Sequence, residues 1–168
     1  MTALERHRSS CSEQHDATTA PSIDAANCTT ESFSTVVRQL VTDSKYLVAG
    51  AMSSSADRSA RLRVLVETAM HTLAAVFVHC CRLIASSSDA GVDSSPSADA
   101  AAAADVAEHV VTAARALKTT VEAARSVLES AGSTGDQADR NKDILLSTAS
   151  VLAKSLSALV CKVRTVSS

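Results

Sequence analysis

Residues 100–128 read AAAAADVAEHVVTAARALKTTVEAARSVL, five consecutive alanines followed by Val106, Val110, Ala113, Leu117, Val121, Ala124 and Leu128 at steps of three and four. Alanine is the best helix former, and this spacing lays one apolar stripe along a helix of 3.6 residues per turn. Nothing in the run alternates with the period of two that a half-buried strand requires. Ala131, Gly132, Ser133, Thr134 and Gly135 then end it.

The same pattern recurs on both sides. Downstream, a helix is expected from about Asp136 to Val166, with a stripe of Leu145, Thr148, Leu152, Ser155 or Leu156, Leu159, Val163 and Val166. Asp136 and Asp139 at its start and Lys162 and Arg164 at its end match the sign of the helix dipole. Upstream, Ser86 to Ser97 contains Gly91 and Pro96 and reads as a polar connection whose proline suits the first turn of the next helix. Before it, Leu62, Leu65, Val66, Ala69, Leu73, Val76, Phe77, Cys80, Leu83 and Ile84 form the expected core face of another helix. That helix is expected to start at Ser54, whose spacing to Asp57 suits reciprocal capping. The first helix begins near Thr29 or Thr30 and carries Phe33, Val36, Val37, Leu40, Ser44, Leu47, Val48 and Ala51.

Four amphipathic helices joined by short polar loops predict an all-α, up-and-down four-helix bundle over 29–168. Residues 1–28 mix Ser, Thr, Asp and His with Pro21 and show no apolar period, which predicts a disordered leader. The 168 residues fit one domain, and with aromatics at 2% the core must be aliphatic and small.

Composition narrows the function. A formal charge of −2 offers no global attraction to phosphate backbones, so no nucleic-acid partner is expected. The longest strongly apolar run, Leu73 to Val78, lies between His71 and His79 and is too short for a bilayer, which predicts no membrane span. The opening residues Glu5, Arg6, His7 and Arg8 are unlike a secretory signal, so a cytoplasmic chain is expected. Five cysteines, Cys11, Cys28, Cys80, Cys81 and Cys161, form no regular framework and read as thiols.

Catalytic signatures are missing. His79, Cys80 and Cys81 are adjacent on a helix and point about 100° apart, so they cannot converge on one metal ion. Cys80 falls on the apolar stripe, where core packing is its expected role. Four glycines build no phosphate cradle, and no serine sits in a nucleophile elbow. We therefore expect no enzyme activity, no cofactor and no metal. Surface charge remains: Arg115, Lys118 and Arg125 on the third helix, and Lys154 and Lys162 on the fourth, are candidate margins of a groove for an acidic partner helix.

Ala153-Lys154-Ser155-Leu156-Ser157-Ala158-Leu159-Val160-Cys161-Lys162-Val163-Arg164 resembles the last helix of the focal adhesion targeting domain. Asp43-Ser44-Lys45-Tyr46-Leu47-Val48 resembles a stretch of the C-terminal bundle of Cas scaffold proteins, and the third helix is similar to Cas and talin-rod helices. The resemblance, spanning Thr29 to Val166, implies an adaptor of cell adhesion or cytoskeletal signalling, at focal adhesions or the cytoskeleton. It implies grooves between the first and fourth or second and third helices that receive acidic leucine-rich, paxillin-like helices. By it Lys154 carries over as a partner-binding residue, and Lys45 has a positional claim. The alternative it offers is an actin-binding or force-bearing bundle of the vinculin and talin-rod type. The Ser-rich connection after Ser86 has no counterpart there, and the family's tyrosine signalling site is not recognisable. Finally, Ser44, Thr148 and Ser155 put hydroxyls on or beside the seams of helices one and four, so those two are expected to loosen first.

Overall fold

The computed structural model describes residues 30–88, 98–133 and 135–166, and among these every extended element is a helix. The expected leader, 1–28, and most of the Pro96 connection lie outside the described residues. The helices are α1 (Thr30–Met52), α2 (Arg58–Ser88), α3 (Ala98–Glu129) and α4 (Gly135–Val166), with a single 3₁₀ turn, Ser130–Gly132, between the last two.

The start of α2 differs from the sequence reading. The Asp57 carbonyl accepts the first helical hydrogen bond, from Arg61 N–H at 3.0 Å, so Asp57 and not Ser54 stands at the cap. Ser53 to Asp57 instead form the turn, with Arg58 Nη1 donating to the Ser53 carbonyl at 3.0 Å. At α4, Asp136 in the first turn and Arg164 in the last follow the dipole as expected.

Short connections make α1–α2 and α3–α4 antiparallel hairpins. The nine residues between Ser88 and Ala98 reach at most about 32 Å, less than the roughly 46 Å length of α2, so α3 must run back alongside it. The packing matches: α1 touches α2 and α4, and α3 touches α2 and α4. This is the up-and-down four-helix bundle.

The bundle is not square. α1 also approaches α3 across the diagonal, whereas among the described residues no Cα atom of α2 comes within 8 Å of one in α4. Composition explains the skew. α3 buries eleven residues, five of them alanine, and side chains that small let a diagonal neighbour approach closely. α2 and α4 therefore occupy the two far corners.

One continuous core runs from Phe33, Val37, Leu40 and Leu47 through Leu73 and Val76 to Leu117, Leu145, Leu152 and Leu159. Phe77 and Ile84, expected inside, are 37% and 40% exposed. The stripe read from the sequence was wider than the arc of α2 that faces inward, which centres on Leu62, Ala69, Leu73, Val76 and Cys80. Among the described residues no buried side-chain polar atom lacks a hydrogen-bond partner. Ser44 Oγ donates to the Leu40 carbonyl at 2.7 Å, and Thr120, fully buried, donates to the Ala116 carbonyl at 2.8 Å. Asp43, also buried, accepts from Gln39 Nε2 at 2.8 Å and from Thr72 Oγ1 at 2.6 Å, which ties α1 to α2.

Candidate functional site

A groove of about 440 Å³ lies between α1 and α4. Val41, Ser44, Lys45, Val48 and Ala49 share one face of α1, and Ala149, Leu152, Ala153, Leu156 and Ser157 share one face of α4. On α4, Ala149, Ala153 and Ser157 recur every fourth residue, so one wall is a row of short side chains, and Leu152 and Leu156 form the floor. Ser44 is already bonded to its own helix and offers the groove no donor. Lys45 stands exposed at the rim, and among the described residues no carboxylate lies within ion-pair distance of it.

The other predicted cations are scattered. Lys154 is exposed beside Ala153, on the flank of the α4 wall and outside the lining. Lys162 is turned to the opposite side of α4, where its Nζ meets Asp105 Oδ2 of α3 at 2.6 Å. The Lys162 hydrogen bond, aided by its charge and that of His109, holds the Asp105 carboxyl below its ordinary range. His109 Nδ1 lies 2.8 Å from the Asp105 carbonyl and 3.5 Å from its carboxylate, completing a cluster that joins α3 to α4. Lys162 thus serves the bundle itself. On α3, Lys118 lies 4.0 Å from Glu122 and Arg115 is exposed. Arg125 belongs to a different groove, about 380 Å³ between α2 and α3, lined also by Ser59, Leu62, Arg63, Val66, Glu67 and Leu128. The structure does not gather these basic residues into one site.

Two features escaped the sequence reading. A groove of about 500 Å³ between α1 and α2 is lined by Tyr46, Gly50, Ala60, Arg61, Val64 and Leu65, with Tyr46 62% exposed. His79 is an interhelical packing residue: its ring stacks on Phe33 with centroids 5.7 Å apart and planes 8° from parallel. Burial, and after it the Arg82 charge, lowers the His79 pKa below its usual 6.5. Cys80 is buried in the core, and burial followed by neighbouring Cys81 pushes its thiol pKa up. Among the described residues, no three His, Cys, Asp or Glu side chains are placed to hold a metal ion.

The outer surface is more apolar than the sequence suggested. No single run is long, but averaged over 18 residues the best windows of α2 and α4 reach mean hydropathies of 1.6 and 1.8, enough by length and composition to cross a membrane. Core helices of soluble bundles pass the same test, yet here only 22% of each window is buried. Val64, Met70 and Val78 of α2 and Ile144, Leu146 and Val151 of α4 face outward, while Leu73, Val76, Leu145, Leu152, Leu156 and Leu159 stay in the core. Compared with known proteins, the chain matches no protein family, no characterised relative and no solved structure. The likeness to adhesion bundles rests on its sequence stretches alone.

Proposed function

We propose that this chain is a non-enzymatic docking module, a scaffold or adaptor, whose α1/α4 groove receives one amphipathic helix from a protein partner. The observation that carries the reading is Lys45 at the rim of an apolar trough whose α4 wall is made of alanine and serine. A visiting helix would set leucines against Val41, Val48, Leu152 and Leu156 and acidic residues toward Lys45 and, beyond the wall, Lys154. This chemistry selects an acidic leucine-rich helix. With the sequence resemblance it points to a cytoplasmic adaptor in adhesion or cytoskeletal signalling.

The test is fluorescence anisotropy with a labelled acidic leucine-rich helical peptide. Saturable binding that weakens with salt, and weakens further in Lys45→Glu and Lys154→Glu, is the expected result. No binding at high micromolar peptide, or binding unaffected by Lys45→Glu, would overturn the assignment.

A further inference from the structure

α2 carries a second helical stripe that its own bundle does not use. Val64, Glu67, His71, Ala74, Val78, Cys81, Ala85 and Ser88 follow one another at alternating steps of three and four, and all eight are exposed. This is the a/d spacing of a helix seam, on the side of α2 away from Leu62, Ala69, Leu73, Val76 and Cys80. From Thr68 to Cys81 there is no charged residue at all. Solvated helix faces seldom lack charge over four turns.

We infer that this face is an interface with a second copy of the chain, the two α2 helices packing antiparallel about a two-fold axis at Ala74 and Ala75. Self-complementarity selects that occupant. The axis falls on alanines, where two helices approach most closely, and sets His71 of each copy against Val78 of the other and Val64 against Ala85. The charges bounding the uncharged stretch are opposite: Glu67 at one end and Arg82 at the other. Among the described residues neither has an ion-pair partner in its own chain. Antiparallel pairing brings Glu67 of each copy to Arg82 of the other, twice by symmetry. Parallel pairing would bring Glu67 to Glu67 and Arg82 to Arg82, so charge fixes the orientation.

Phe77, Met70 and Ile84, 37%, 49% and 40% exposed, widen the apolar face on one flank. The seam spans about 37 Å, and a stable interface buries roughly 800 Å² per partner, so this one belongs to the modest, micromolar class. Because α2 sits at the corner away from α4, the α1/α4 groove stays open in the pair. The inference stands independently of what that groove binds.

Sedimentation velocity of the full chain from sub-micromolar to high micromolar concentration tests it. The expected result is a reversible monomer–dimer equilibrium. Ala74→Glu places like charges at the axis while keeping a good helix former, and should yield monomer with unchanged circular dichroism. Glu67→Arg or Arg82→Glu alone should weaken association about tenfold, and the two together should restore it. A chain that stays monomeric throughout, a dimer that survives Ala74→Glu, or a double charge swap that restores nothing would overturn the interface.

Discussion

Thr120 sits where an aliphatic residue would fill the same space. It is fully buried, and its hydroxyl donates to the Ala116 carbonyl, which already accepts the helical N–H of Thr120. Removing the hydroxyl leaves no partner unsatisfied, so Thr120→Val should raise stability by about 1 kcal/mol in urea denaturation. A loss of stability would show that the hydroxyl has a further role. Reading the sequence placed costly hydroxyls at Ser44, Thr148 and Ser155; Ser44 is buried as expected, whereas Thr148 and Ser155 are partly exposed, and all three are bonded within their own helices. His79 was equally hidden, since its partner Phe33 lies on another helix and only the packed register brings the rings together. Its pKa is lowered in the folded chain, so below 6.5 the unfolded chain binds the extra proton more readily. This contribution to stability is complete above 6.5 and is lost as pH falls through the window beneath. His79→Phe keeps the stack and should flatten the melting temperature between about pH 7.5 and about pH 5 relative to wild type. An unchanged pH slope would exclude His79 as its source.

At the scale of helices, the seams are unequal. The most extensive contacts are within the hairpins, α3 with α4 and α1 with α2, and the contacts between hairpins are slimmer. Asp43 with Gln39 and Thr72 stitches the first hairpin, and Lys162 with Asp105 and Asn141 Nδ2 to the Ser126 carbonyl stitch the second. The expectation that α1 and α4 loosen together rested on hydroxyl content, whereas these cross-links hold each of them to its own hairpin partner. Native-state hydrogen exchange should therefore show α1 and α2 opening as one unit and α3 and α4 as another. Joint early loss of protection in α1 and α4, with α2 and α3 still closed, would contradict this division. Helix positions were legible because alanine, leucine and valine recur at a period that only one backbone geometry satisfies. The start of α2 was not, because Ser53 to Asp57 offers several capping residues in a row and turn geometry chooses among them.

Across the whole molecule, patterning specified a four-helix bundle but not its cross-section. The diagonal meeting of α1 with α3 depends on alanine volumes in register, and the fate of each lysine depends on what the neighbouring helix presents. Lys45 and Lys162 look alike in sequence, yet one edges an open groove and the other is bonded to Asp105. The same topology has a mechanical consequence. Thr30, where α1 begins, and Val166, where α4 ends, lie at one end of the bundle, on adjacent helices that share a slim seam. Tension applied across those two points falls on the nearest contacts first and peels α1 from α4 turn by turn. Tension between the α1–α2 turn and Val166 runs along the axis and loads every contact of the seam at once. Optical-tweezer pulling through the first pair of attachment points should open the molecule at distinctly lower force than through the second, making it a zipper from one direction and a strut from the other.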